Sequence, residues 1–230
     1  MLSNPTTTHT IQVWLSDGSP ESEGAAECLT PAESQLADRL NSGPRRRSFE
    51  VARWLGKQAV QACNTTCEGG IGQIEILSED SSGVTSRPVV RVNGIRADLT
   101  ISITHLDQTV AVAVTDSERT IGIDLAHIRP ASDGFTDVWM TDQEQFQIVK
   151  SENPALTATM NWSAREATFK ATGIEGEFRP ARWSVSFDGD RAVCFYRGQQ
   201  QAVHLSFYRI RHDLLLTVAG DRANVTFCYA

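Results

Sequence analysis

The strongest constraint on this chain is a change of hydrophobic period between two segments that carry acids. From Ile121 to Ala126, the residues Ile121, Ile123 and Leu125 alternate with Gly122, Asp124 and Ala126. That two-residue period belongs to a strand that buries one face and presents the other. Further along, Trp162, Glu166 and Lys170 recur at the spacing of a helix, so an indole, a carboxylate and an ammonium share one face. Two carboxylates from different elements with a lysine beside them are what a Mg²⁺ site for phosphate chemistry requires. Hard cations take oxygen ligands, and substrate phosphates complete the shell.

A plainer reading stands beside this one. Glu166 and Lys170 form an i,i+4 pair of the kind that stabilises exposed helices by about 0.2 to 0.5 kcal/mol, and an aspartate after an apolar strand is often a turn former. Their joint occurrence favours chemistry, and so does lysine usage. Only Lys57, Lys150 and Lys170 are lysines among 21 basic residues, and a lysine is a point charge where arginine is a planar fork.

The rest of the chain reads as a mixture of helices and strands. Ile11 to Leu15 suits a first strand. Helices are expected over 31–42 and 47–63, the first opened by Thr30, Pro31 and Glu33 as cap, first-turn proline and third-position acid. Gly69, Gly70 and Gly72 break the pattern. Strands follow over 72–78, 99–104, 108–115 and 119–125, then helices over 135–150 and 161–173. The tail reads as strands over 182–187, 191–195, 201–210, 213–219 and 224–229. A repeat is visible: Val110 to Asp116 followed by Thr120 to Asp124 has a counterpart in Leu215 to Asp221 followed by Val225 to Tyr229. The second copy carries no acid matching Asp124.

Gly122-Ile123-Asp124 and Trp162-Ser163-Ala164-Arg165-Glu166-Ala167-Thr168-Phe169-Lys170 resemble the two signature motifs of the 4'-phosphopantetheinyl transferases. Leu29 to Glu33, the run Arg45-Arg46-Arg47-Ser48-Phe49 with Arg53, Arg87-Pro88, and Ile101 to His105 extend the likeness to the longer, surfactin-synthetase-activating type. The resemblance implies an α+β fold of two pseudo-symmetric halves, expected at 1–117 and 118–230, with the active site at their junction. It implies an enzyme, acting as a monomer, that moves the 4'-phosphopantetheine group of coenzyme A to a serine of an apo acyl or peptidyl carrier protein and releases 3',5'-ADP, while the pattern of the N-terminal residues and the hydropathy make a soluble cytoplasmic protein the default expectation. Asp124 and Glu166 would hold Mg²⁺, with Mn²⁺ as an alternative, and Asp124, Glu166 and Lys170 would be catalytic. Arg47, Arg53, Arg87, Thr104, His105, Arg165 and Lys170 would bind coenzyme A.

Two positions depart from the pattern. Ala126 stands where the longer type commonly has a second acid on the face of Asp124, which leaves a place for water in the shell of a metal that usually keeps several. Arg165 replaces the motif lysine and keeps its charge, so a phosphate contact survives more easily than a proton transfer. Both departures speak for the alternative: a non-catalytic relative that binds coenzyme A or a carrier domain.

Composition narrows the partners. A chain of 230 residues with 40% hydrophobic content can bury a real core. Neither a leader-like N-terminal pattern nor a run of membrane-spanning length is present in the sequence. The formal charge of -7 argues against general nucleic-acid binding. Five cysteines, with no C-x-x-C pair, argue against a disulfide framework. Cys63 and Cys67 at i,i+4 lack the histidine pair a metal site would want. His9, His127, His204 and His212 read as structural or surface residues.

Overall fold

The computed structural model describes residues 10–16, 24–63, 70–79, 85–116, 119–189 and 191–230. In chain order its elements are β1 (Thr10–Ser16), α1 (Pro31–Asp38), α2 (Gly43–Cys63), β2 (Ile74–Glu79), β3 (Thr85–Val92), β4 (Ile95–Arg96), β5 (Leu99–Leu106), β6 (Thr109–Asp116) and β7 (Ile121–His127). They continue as α3 (Asp133–Trp139), α4 (Asp142–Lys150), α5 (Pro154–Thr172), β8 (Trp183–Asp188), β9 (Arg191–Tyr196), β10 (Gln199–Gln200), β11 (His204–Arg211), β12 (Leu214–Gly220) and β13 (Asn224–Tyr229).

This mixed α+β order matches the expected class, with differences of detail. The helix expected over 135–150 is two helices, because Thr141 caps a new one: its hydroxyl accepts the Glu144 amide while the Glu144 carboxylate accepts the Thr141 amide. The motif helix starts earlier than its apolar pattern suggested, at Pro154, where the Asn153 side chain accepts the Leu156 amide. It ends at Gly173, whose φ of 61° is the left-handed stop that glycine accepts at little cost. Strand β3 was not anticipated, since Arg87, Pro88 and Arg91 blur its alternation. Gly69 and Cys67 lie outside the described residues.

The strands form sheets in the orders β13-β1-β6-β5, β11-β12-β7, β2-β3-β4 and β10-β9-β8. Among the described residues all pairs are antiparallel except β1 with β13, which run parallel. Helix α2 buries Val51, Ala52, Leu55, Ala59 and Val60 against Ile74, Ile76, Ile101 and Val112. Helix α5 buries Ala164, Ala167 and Ala171 against Trp183, Val185, Leu205 and Ala219. Between these two layers, β1, β6, β7 and β12 contribute Val13, Ala111, Ala113, Ile123 and Leu216 to a shared apolar core.

The seam that positions the site lies between β5 and β7. These two strands belong to different sheets, and side-chain hydroxyls take the place of a backbone ladder. Ser102 Oγ accepts the Ile123 amide at 3.0 Å, and Thr104 Oγ1 accepts the Leu125 amide at 3.3 Å. These bonds satisfy buried amides that would otherwise lose their hydration without compensation. Helix α5 approaches β7 at Gly122, where helix backbone crowds the strand: a Cβ there would meet the Ala167 carbonyl oxygen at 2.0 Å and the Ala171 nitrogen at 2.4 Å.

Candidate active site

A cavity of about 840 Å³ opens at the C-terminal ends of β5 and β7, and its wall includes Thr104, His105, Asp124, Trp162, Glu166 and Lys170. The alternation of β7 buries Ile123 and Leu125 in the core and turns Asp124 the other way. From α5, the three residues at four-residue spacing all reach this wall, as one helical face should.

Asp124 is held from several directions. Lys170 Nζ lies 3.2 Å from its Oδ1 and also donates to the Ile123 carbonyl at 2.9 Å. Thr104 Oγ1 is 3.5 Å from the same carboxylate oxygen, and Ser163 Oγ donates to the Asp124 backbone carbonyl at 3.4 Å. Glu166 faces Asp124 within hydrogen-bonding reach. Burial, and then the Asp124 charge, push the Glu166 carboxyl up to about 7, while Lys170 and a hydrogen bond from Trp162 act in the opposite direction. Two carboxylates this close repel each other when both are ionised, so the pair suits a divalent cation, a shared proton or both. The Trp162 indole is itself fixed by Phe135, Trp139 and Phe178, with centroids at 5.1, 6.4 and 5.9 Å.

His105 stands at the rim of the cavity. The surrounding protein, and then the charges of Lys170 and Arg45, lower its pKa below the ordinary imidazole value. The first turn of α2 therefore lies close enough to the rim for Arg45 to be felt there, and Ser48 Oγ donates to the Asp107 carbonyl in the β5–β6 turn at 3.4 Å.

Four of the expected coenzyme A contacts are not on this wall. Arg53 is buried between α2 and β2, donating to Ser78 Oγ at 2.8 Å and stacked over Phe49 at 4.1 Å. Desolvation lowers its pKa to about 10. Arg87 donates to the Ala171 carbonyl at the end of α5 and lines a separate cavity of about 590 Å³ with Arg96 and Arg119. Arg47 sits near the start of α2 and is not among the lining residues, while its neighbour Arg46 pairs with Asp38 at 3.1 Å and Glu50 at 2.9 Å. Arg165 is fully buried, with Nη2 2.5 Å from both Glu144 carboxylate oxygens and Nη1 2.5 Å from the Trp139 carbonyl. A helix turns about 100° per residue, so the side chain next to Glu166 points away from the cavity.

Sequence reasoning missed other parts of the wall. His127, set aside as structural, lines the cavity together with Arg129, Ser132, Phe135 and Thr159. Its Nε2 is 2.7 Å from Asp107 and its Nδ1 3.8 Å from Asp213. The available signal was position: His127 follows Asp124 on the same strand and ends it. Ser163 and Ser102 carried no signal, because a buried hydroxyl serving a neighbouring backbone has no spacing rule.

Together, the folded elements define a mixed α+β protein with a facing carboxylate pair, a lysine and a histidine on one cavity wall. The chain is also similar to known proteins. The family model described as the 4'-phosphopantetheinyl transferase superfamily matches residues 120–227, the stretch from the start of β7 into β13. Proteins named holo-[acyl-carrier-protein] synthase from three strains of Streptococcus thermophilus are 36% identical to this chain over 92 residues, which is 39% of this chain and 73% of each relative. The chain belongs to the 4'-phosphopantetheinyl transferase superfamily.

Proposed function

We propose that this protein transfers the 4'-phosphopantetheine group of coenzyme A to a serine hydroxyl of an apo carrier protein and releases 3',5'-ADP. The observation that carries the reading is the meeting of Asp124, Glu166 and Lys170, from two elements distant in sequence, on one wall of a cavity of about 840 Å³. That size suits a cofactor-like substrate. His105 at the rim supports the same reading, because a neutral imidazole beside the Lys170 ammonium can donate a hydrogen bond to a phosphate oxygen that the lysine attracts. We place the halves at 1–117 and 118–230, with the cavity at their junction.

Asp124 and Glu166 fit a Mg²⁺ ion as the donor set: both offer carboxylate oxygens, and their mutual repulsion favours a cation between them. Such an ion, when bound, would neutralise the pyrophosphate and make its phosphorus more open to attack. Among the described residues no third acid, histidine or cysteine completes the cluster, which agrees with Ala126 standing where a further acid is common.

The chain's own residues have the following roles. Glu166 accepts the proton of the carrier serine as its oxygen bonds to the β-phosphorus of coenzyme A, and the bond from that phosphorus to the bridging oxygen breaks. Lys170 stabilises the charge that develops on the departing 3',5'-ADP. Thr104 and Ser163 keep Asp124 in place, and His105 binds substrate phosphate at the rim. No nucleophile is needed from this chain, since the partner supplies it. Arg165, which in the sequence spoke for a non-catalytic relative, is accounted for by its buried partner and no longer weighs against catalysis.

Chromatography of a reaction with coenzyme A, Mg²⁺ and an apo carrier tests the reading. The expected result is 3',5'-ADP released in equal amount to holo carrier formed. Coenzyme A consumed without carrier modification would overturn it.

A further inference from the structure

The buried arrangement around Arg165 occurs twice in this molecule. In the C-terminal part, Glu144 at the third position of α4 caps Thr141 through its amide at 2.7 Å. It also accepts the Val185 amide of β8 at 2.7 Å and pairs with Arg165 of α5 at 2.5 Å. In the N-terminal part, Glu33 at the third position of α1 caps Thr30 through its amide at 2.8 Å, accepts the Ile76 amide of β2 at 2.8 Å, and pairs with Lys57 of α2 at 2.7 Å. Even the last contact is matched. Arg165 donates to the carbonyl of Trp139, two residues before Thr141, and Lys57 donates to the carbonyl of Cys28, two residues before Thr30. All four charged residues are essentially unexposed.

The sequences around the two cations align as Trp54-Leu55-Gly56-Lys57-Gln58-Ala59 and Trp162-Ser163-Ala164-Arg165-Glu166-Ala167. In that alignment Gln58 and Ala62 stand where Glu166 and Lys170 stand. The N-terminal copy thus keeps the buried pair with neither the acid nor the lysine of the site, so the pair does a job that does not depend on substrate. That job is to lock the rotation of a long helix to the start of the preceding helix and to the following strand. In the C-terminal copy the locked helix is α5, and its rotation is what turns Glu166 and Lys170 towards Asp124.

We propose that Glu144 and Arg165 are positioning residues of the reaction, acting through α5 on Glu166 and Lys170, and that the cation at 165 makes no contact with substrate phosphate. The proposal deepens the transferase reading and rests on it for its link to turnover. A lysine serves the same geometry at position 57, so either cation fills the role.

Three variants test it: Arg165→Lys, Arg165→Met, and Arg165→Met combined with Glu144→Gln. Each is followed by melting temperature, coenzyme A affinity by calorimetry, and kcat and KM for carrier modification. Arg165→Met strands a buried carboxylate, so its melting point should fall and kcat/KM should drop by about tenfold or more as α5 loses its register. Adding Glu144→Gln removes the stranded charge but keeps only one of the two acceptor oxygens that serve Val185 and Thr141, so the melting point should recover in part, whereas kcat should stay low because α5 still lacks its lock. Arg165→Lys should keep wild-type affinity and most of the turnover, as the conservative rescue.

The proposal is overturned if Arg165→Met and the double variant lose coenzyme A affinity alike while melting like wild type, because that marks a direct phosphate contact. It is equally overturned if Arg165→Lys folds normally but loses that affinity. Should Arg165→Met fail to fold, the other two variants decide the matter. A wild-type protein that binds coenzyme A but transfers nothing would remove the transferase reading alone, since the affinity series still reports on the buried pair.

Discussion

Gly122 gives the most demanding test of how the fold builds the site. It lies two residues before Asp124 on β7, and a methyl group there would sit 2.0 Å from the Ala167 carbonyl oxygen of α5, where ordinary contact begins at 3.4 Å. The obstacle is helix backbone, so no side-chain rotation relieves it, and α5 and β7 must separate by about 1.4 Å. Ala167 and Ala171 each follow a site residue, Glu166 and Lys170, and both site residues would move with the helix. Gly122→Ala should therefore cost about 1 to 3 kcal/mol of stability as overpacking. Misplacement of catalytic groups by about 1 Å costs on the order of 10²-fold in rate, and kcat/KM for carrier modification should fall by about that factor. A control comes from Gly56 of α2, where an added Cβ would meet the Ile76 Cδ1 atom at 2.7 Å. That methyl is the end of a flexible side chain, so Gly56→Ala should leave turnover close to wild type. Turnover by Gly122→Ala at the wild-type level, with the fold intact by circular dichroism, would refute the reasoning.

Three further outcomes follow from the same structure. Glu166 is raised from the ordinary 4.5 to about 7, so the folded state binds its proton more tightly than the unfolded chain does. Stability of chelator-treated protein should then fall as pH rises from about 4.5 to 7 and level off above that, by about 3 kcal/mol in all, and Glu166→Gln should remove that fall in urea unfolding. Lys57→Met leaves Glu33 charged and buried, and urea unfolding should show a loss of about 3 to 5 kcal/mol. Ser102→Ala orphans the Ile123 amide at the β5–β7 seam, with an expected cost of about 1 to 3 kcal/mol by the same measurement.

Much of the site was legible because it obeys simple periods. Asp124 on the presented face of a strand, and Trp162, Glu166 and Lys170 on one face of a helix, needed only the two repeat lengths. Arg165 was misread because adjacency in sequence to a functional acid suggests shared work, whereas adjacency in a helix means divergence. Its true partner was also visible in outline, as Thr141 followed three residues later by Glu144 repeats Thr30 followed by Glu33. What no pattern shows is that both glutamates turn inward to meet a cation from another helix. Arg53 misled for a similar reason: charge implies solvent or ligand only until burial and a partner such as Ser78 are seen. The seam hydroxyls of Ser102 and Thr104 lie beyond pattern reading altogether, because they serve backbone amides of a strand remote in sequence.

Intact-mass spectrometry of an apo carrier protein incubated with coenzyme A and Mg²⁺ tests the central claim most directly, with wild-type protein alongside Asp124→Ala, Glu166→Gln and Lys170→Ala. The account expects the carrier to gain the mass of one phosphopantetheine group with wild-type protein and to gain none, or far less, with each variant. A gain that persists undiminished in Asp124→Ala and Glu166→Gln would contradict the assignment of the reaction to this carboxylate pair.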